Sequence, residues 1–292
     1  MKKNTLNIAA ALRGPWMFDQ QSALSFAPLL AHLIKGDTSQ LYEKIEARYV
    51  NSVISPSGKT LTSGEDVEEG SIGVIHIDGP MFKNGTWWAW GSDELMAMAE
   101  AFDNNSNIIG QIWRTNSGGG QVAAVAPYLD FHANRKKPVV ELVDICASAA
   151  IWKAAPADFI MAENDISSAI GSIGVMTELQ NWDKYFEQIG LEIHTIFADQ
   201  SSEKGSAYAD AKNGDYKKIK EELLNPLASK FQETIKKHRG SKLDLNVDGL
   251  LKGKMFFAED AQAAGLIDGI GNFDAAIRKV KELSAVQDFM NQ

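Results

Sequence analysis

Ser148 stands where the apolar run Val139-Val140-Glu141-Leu142-Val143-Asp144-Ile145-Cys146-Ala147 meets the small residues Ala149 and Ala150, a pattern that reads as a strand breaking into a helix. A serine at such a break can expose its hydroxyl, and the free N–H groups of the helix start face any negative charge that develops beside it. That arrangement suits acyl transfer. It equally suits a plain N-cap, since helices often begin with Ser. A second strand-to-helix junction lies upstream, Asn116-Ser117-Gly118-Gly119-Gly120-Gln121-Val122. Three glycines let the backbone turn tightly and present N–H groups with no side chain in the way. The run lacks both the Gly-Lys-Ser/Thr ending and the Gly-x-Gly-x-x-Gly spacing of nucleotide loops, so an oxyanion hole is the better use for those donors. Cys146 is an alternative nucleophile two residues before Ser148, although a lone cysteine ending an apolar strand reads first as a small core residue.

Composition narrows the setting. The chain has 292 residues, 45% hydrophobic and 23% charged, enough for one large domain or a domain with an extension. A formal net charge of −9 without a basic run disfavours nucleic acid and anionic membrane as partners. With Cys146 the single cysteine there is no intrachain disulfide and no cysteine-based metal cluster, and we expect no metal, no cofactor and a reducing, cytoplasmic setting. The apolar stretch near the start is short, interrupted by Asn7 and ended by Arg13, so we expect neither a secretory signal nor a transmembrane anchor.

The elements that must position the two junctions follow from periodicity. Residues 20–50 carry apolar positions at helical spacing, broken at Gly36-Asp37, and read as a helical appendage. Residues 52–70 are rich in Ser, Pro, Gly, Thr and Glu and read as a linker, giving an extension and linker over 1–70 and a main domain over 71–292. Beyond it, predicted strands at 72–77, 108–115, 139–145, 158–162, 171–177 and 191–197 alternate with helices at 93–104, 121–135, 149–156 and 181–189. This is the signature of an α/β fold with a mostly parallel sheet and flanking helices. A long packing helix is expected over 215–239, a strand near 255–257 and a helix over 273–283. Trp87, Trp88 and Trp90 fall in a loop that suits either partner contact or core filling.

Four segments in register carry a family resemblance. Asn116-Ser117-Gly118-Gly119-Gly120-Gln121-Val122 resembles the Asn-Ser-Pro-Gly-Gly-x-Val segment of S49 serine peptidases, the signal peptide peptidase A group. Cys146-Ala147-Ser148-Ala149-Ala150 resembles their nucleophile segment, and Gly171-Ser172-Ile173-Gly174-Val175 their Gly-Ser-Ile-Gly-Val strand. Ala261 with Gly265-Leu266-Ile267-Asp268 resembles their closing element. The resemblance covers residues 71 to about 283. It implies a ClpP/crotonase-like fold and a serine endopeptidase with a Ser-Lys dyad. Ser148 is then the nucleophile and Lys204 the base, although the glycine that precedes the family's lysine is missing. The resemblance further implies an oxyanion hole from Gly119 or Gly120 with Ala149, and substrate binding at Ser172, Ile173 and Gly174. Lys153 and Lys212 are the alternative bases; Lys153, five positions along the helix from Ser148, lies roughly 140° around it and points away. None of His32, His76, His132, His194 and His238 lies in a segment resembling the histidine motif of ClpP. The implied partners are a peptide or protein substrate and further copies of the chain, as a homo-oligomer with active sites at subunit interfaces. The implied setting is maturation of phage or prophage capsid or scaffold proteins. A non-catalytic assembly protein and a crotonase-type acyl-CoA enzyme are the readings from other classes.

Overall fold

In chain order the strands are β1 (Trp16–Phe18), β2 (Asn51–Ile54), β3 (Thr60–Leu61), β4 (Ser71–Asp78), β5 (Ile108–Ser117), β6 (Gly119–Gln121), β7 (Val139–Ala147), β8 (Phe159–Ala162), β9 (Ala169–Gly171), β10 (Met255–Phe257) and β11 (Gly269–Ile270). The principal helices are α1 (Ser92–Asn104), α2 (Val125–Asn134), α3 (Ala149–Ala154), α4 (Ser206–Lys212), α5 (Asn225–Arg239), α6 (Ala258–Ala263) and α7 (Phe273–Met290). The computed structural model describes residues 16–18, 46–61, 65–86, 89–177, 179, 187, 188, 190–192 and 194–290.

The expected α/β architecture is present. A nine-stranded sheet runs β10-β9-β7-β5-β4-β2-β3, with β8 beside β7 and β11 beside β8. Its centre is parallel: β4 with β5, β5 with β7, and β7 with both β8 and β9. Antiparallel strands close the two ends, β2 and β3 at one and β10 at the other. The central strands read as nearly continuous apolar runs because both faces are covered. Successive side chains alternate between faces. Ile75, Ile77, Trp113 and Val143 join the core that contains Leu95 of α1, Phe131 of α2 and Ile151 of α3. Ile72, Val74, Ile112, Val140 and Leu142 pack on the other side with Ala276 and Val280 of α7. Each such fully buried aliphatic side chain contributes about 1.5–3 kcal/mol relative to exposure.

Local chemistry sets the helix ends. Glu94 accepts the Gly91 N–H at 3.1 Å, and Asp93 and Glu94 place negative charge in the first turn of α1. The buried Asp103 at the other end of α1 accepts the N–H groups of Lys136 and Lys137, fixing the loop that enters β7. In α3, Trp152 stacks on Phe231 of α5 with centroids 4.6 Å apart, so the helix after Ser148 is clamped between sheet and α5.

Several expectations change. Part of the stretch read as a linker is sheet: β2 pairs with β4, and Ile54 is buried. The strand predicted over 171–177 ends at Gly171, because Ser172 turns to a φ of 54° and gives its N–H to the Lys254 carbonyl at 2.9 Å. No strand forms at the described positions of 191–197, where Leu191, Ile196 and Phe197 are exposed. An apolar run makes a strand only where a neighbouring strand takes its hydrogen bonds and a layer covers it. The predicted helix at 215–239 is present but contains a π-helical turn, Lys220–Leu224. Most of the predicted helix at 181–189, the appendage before residue 46, and Trp87 and Trp88 lie outside the described residues.

Candidate active site

The position of Ser148 follows from how β7 ends. Ala147 is the last strand residue and pairs with Gly171 of β9. Ser148 then adopts φ 56° and ψ −119° before α3 begins. Its N–H donates to the Gly171 carbonyl at 2.9 Å and its carbonyl accepts the Trp152 N–H at 3.1 Å. Positive φ costs a non-glycine residue on the order of 1–3 kcal/mol and persists only where the surroundings over-determine it. Among the described residues only Ser148 and Ser172 are non-glycine residues with positive φ, and both sit in this corner. Ser148 occupies the N-cap position, yet its side chain makes no capping hydrogen bond. The plain N-cap reading therefore fails. The hydroxyl has no hydrogen-bond partner among the described residues, and Ala149 and Ala150 beside it are fully buried. At the first position of α3, the Ala149 N–H belongs to the group of donors that a helix leaves without an internal acceptor.

The glycine loop is ordered by Ser117. Its hydroxyl donates to the Gly79 carbonyl at 2.6 Å and accepts the Gly119 N–H at 3.1 Å. The Gly119 N–H is thus already engaged. Met81 runs alongside β6, donating to the Gly119 carbonyl and accepting the Gln121 N–H, both at 2.9 Å. A Cβ on Gly120 would lie 2.3 Å from the Met81 carbonyl oxygen, so only glycine permits this approach. Because Gly119 and Gln121 point these groups at Met81, the alternation of an extended strand turns the Gly120 N–H and carbonyl to the opposite edge.

The other predicted positions fare differently. Ile173 is completely buried, so its side chain is core, while Ser172 and Gly174 are partly exposed next to the 252–254 loop. Lys204 lies in an exposed turn before α4, where its N–H donates to the Ser201 carbonyl at 3.0 Å. Its neighbour Glu203 is engaged by Lys218 and by Ser206. No hydrogen bond or ion pair joins Lys204 to Ser148 among the described residues. Lys212 is exposed at the end of α4. Cys146 is fully buried, and burial pushes its thiol pKa far up, which removes it as a nucleophile. His132 is held well below the usual histidine range by burial first and by the charge of Arg135 second, and the half-buried His76 is lowered by desolvation. Neither histidine hydrogen-bonds to Ser148.

Lys153 points away from Ser148, as its helical offset requires. Its ammonium donates to Glu141 Oε1 at 2.6 Å, Glu141 Oε2 at 2.7 Å and Thr115 Oγ1 at 2.6 Å, which uses all three protons. Thr115 in turn donates to Glu141 Oε2 at 2.8 Å. Both charged side chains have 0% exposure, and the ammonium lies 5.5 Å from the Trp113 ring centroid and 5.6 Å from that of Tyr128. This buried cluster pins α3 to β5 and β7, and sequence reasoning missed it. The signal was Glu141 inside the apolar run Val139–Val143 and Lys153 as the single charge of α3, since such charges are almost never fully buried unless paired. A further buried pair holds the closing element: Arg239 grips Asp268 with two hydrogen bonds of 2.8 and 2.9 Å.

Among the described residues no helix is long and apolar enough to cross a membrane, and no cluster of metal-ligating side chains occurs. Among known proteins, the chain is 27% identical over 194 residues to "Putative protease MJ0651" of Methanocaldococcus jannaschii, covering 65% of this chain and 61% of that protein. It is 26% identical over 230 residues to Protease 4 of Haemophilus influenzae, covering 75% of this chain and 36% of the relative. It is 24% identical over 228 residues to the chloroplastic serine protease SPPA of Arabidopsis thaliana, covering 76% and 33%. The chain therefore matches about a third to three-fifths of the length of these relatives. A solved enoyl-CoA hydratase/isomerase family member aligns at 15% identity with a TM-score of 0.44, covering 76% of this chain and 74% of that one. The profile of Peptidase family S49 matches residues 132–287, more than half of the chain, and that span holds the strained Ser148 corner, the Glu141–Lys153 pair and the closing Asp268. On that match, the chain belongs to peptidase family S49.

Proposed function

We propose that the protein is a serine endopeptidase in which Ser148 attacks a peptide carbonyl. The observation that carries this reading is Ser148 itself, a serine held at positive φ with a hydroxyl that caps nothing. The Ser148 oxygen bonds to the substrate carbonyl carbon while a base takes its proton, and the carbonyl oxygen becomes an oxyanion. The Ala149 N–H at the start of α3 and the Gly120 N–H are the donors put forward for it, since the Gly119 N–H is engaged by Ser117. Collapse of the intermediate passes the proton to the leaving amine and leaves an acyl-enzyme, which water releases by the reverse sequence.

Lys204 is the base in this proposal, contributed by a neighbouring copy of the chain. Among the described residues its ammonium makes no hydrogen bond or ion pair, whereas that of Lys153 is fully committed. Enclosure by another subunit would supply the desolvation that favours a neutral amine over an ammonium and lets a lysine act as a base. Ring closure through heterologous contacts is the assembly we put forward. The biological setting we put forward is maturation of phage or prophage capsid or scaffold proteins, on the resemblance of the Ser148-Ala149-Ala150 segment.

The test is labelling by a fluorophosphonate probe, with tryptic mapping of the adduct. Wild type should label at Ser148, and Ser148→Ala should not. Lys204→Ala and Lys204→Arg should both lose peptide hydrolysis, because a guanidinium stays protonated. Mixing Ser148→Ala with Lys204→Ala under subunit exchange should restore part of the activity. Absence of any Ser148 adduct in folded wild type would favour a non-catalytic assembly role on the same fold.

A further inference from the structure

We infer that the edge of β6 opposite Met81 is a docking edge for an extended peptide, and that the chain's own segment Trp16–Phe18 occupies it, so that a substrate must displace this strap before it can reach Ser148. The inference rests on the peptidase reading above for what the edge is used for, but not for the docking itself. β1 pairs antiparallel with β6, in the register Trp16 to Gln121, Met17 to Gly120 and Phe18 to Gly119. These two strands form a small sheet of their own, outside the nine-stranded sheet. The opposite edge of β6 is closed by Met81, which takes the Gly119 carbonyl and the Gln121 N–H. Alternation leaves the Gly120 N–H and carbonyl for the β1 side, where the register sets them against Met17. Met17 and Gly120 therefore form the pair that exchanges both backbone hydrogen bonds.

That placement has a chemical consequence. Gly120 carries the same N–H that the proposed mechanism aims at a substrate oxyanion, and the strap sets the Met17 carbonyl against it. β-Strand addition to an exposed edge relies on main-chain hydrogen bonds for affinity, so any extended peptide competes for this edge in the same way. A segment tethered in the same chain competes at a high effective concentration. The strap thus acts as an intramolecular competitor.

The experiment uses the full-length chain and its Met17→Pro variant, which lacks the N–H that bonds to Gly120 and leaves the nine-stranded sheet untouched. Hydrogen exchange over Gly118–Gln121 reads docking without reference to catalysis, and the rate of fluorophosphonate labelling reads access to Ser148. Met17→Pro should exchange its Gly120 amide about tenfold faster, the loss expected for one or two hydrogen bonds, with an unchanged melting curve. Ser148 labelling should accelerate by a similar factor, and an added peptide of residues 12–22 should slow both again. Equal exchange at Gly120 in the two proteins would overturn the inference. Faster exchange without any adduct at Ser148 in either protein would sink the peptidase reading while leaving the docked strap standing. Faster exchange with an unchanged labelling rate would show that the strap docks without guarding Ser148, and would overturn its role as a competitor.

Discussion

Replacing Lys153 by methionine tests whether the buried cluster behind the nucleophile is as tight as its geometry states. The ammonium makes three hydrogen bonds of 2.6–2.7 Å, and neither it nor Glu141 has any exposure. Methionine keeps most of the aliphatic stem and removes the charge, so the loss is dominated by the carboxylate left buried without a partner. Breaking one side of such a pair costs about 3–5 kcal/mol. Lys153→Ala adds the loss of three buried methylenes, about 2 kcal/mol more at ~0.8 kcal/mol each. Against a total stability of about 5–15 kcal/mol, the alanine variant approaches the folding threshold. The companion variant replaces the whole cluster, Thr115→Val with Glu141→Leu and Lys153→Met, so that no hydroxyl or carboxylate is orphaned. Swapping a complete buried ion pair for packed apolar groups is neutral or stabilising by about 1–4 kcal/mol. Urea unfolding of wild type, Lys153→Met and the triple variant checks both halves. A Lys153→Met variant within about 1 kcal/mol of wild type would refute the burial argument. A triple variant as unstable as the single one would refute the desolvation argument.

Three further outcomes follow from other residues. Ser148→Gly should gain stability of about 1 kcal/mol because it relieves the positive φ, whereas Ser148→Ala should not, and neither should take up a fluorophosphonate. Gly120→Ala should cost stability and abolish hydrolysis, since its methyl would meet the Met81 backbone at 2.3 Å, and a crystal structure retaining the wild-type loop would contradict this. Burial alone would raise the Asp268 pKa, but hydrogen bonds from Arg239, Lys242 and the Ile160 N–H outweigh it and the net shift is downward. A carboxylate depressed in the folded state contributes stability above its unfolded pKa of about 3.9, which is lost as pH falls through the lower folded value. Asp268→Asn should therefore be less stable than wild type at neutral pH and show a shallower loss of stability towards acid, measured by denaturant unfolding at each pH.

The strands around the site were legible because burial on both faces imposes long apolar runs, and β4, β5, β7 and β8 start and stop within two residues of where the runs do. The two junctions at Gly118–Gly120 and Ser148 were legible for a related reason: tight turns against a neighbouring backbone restrict residue type to glycine and other small residues. The apolar run at 191–197 carried the same kind of signal, yet its described residues form no strand. Local pattern reports what a segment can bury, not whether a partner lies beside it.

Other decisions belonged to the tertiary structure. Whether Ser148 caps its helix or stands free depends on the Gly171 carbonyl, supplied from β9 more than twenty residues later in the chain, which holds the Ser148 N–H and fixes the strained turn. Whether Lys153 serves as a base or a brace depends on Glu141 and Thr115, which come from two other strands. Which glycine N–H remains for an oxyanion depends on Ser117 and Met81, and which peptide lies along β6 depends on β1, more than a hundred residues upstream. Each is a hydrogen bond or ion pair between segments distant in sequence. The local pattern states that a donor exists, and only the packed chain decides which acceptor reaches it first.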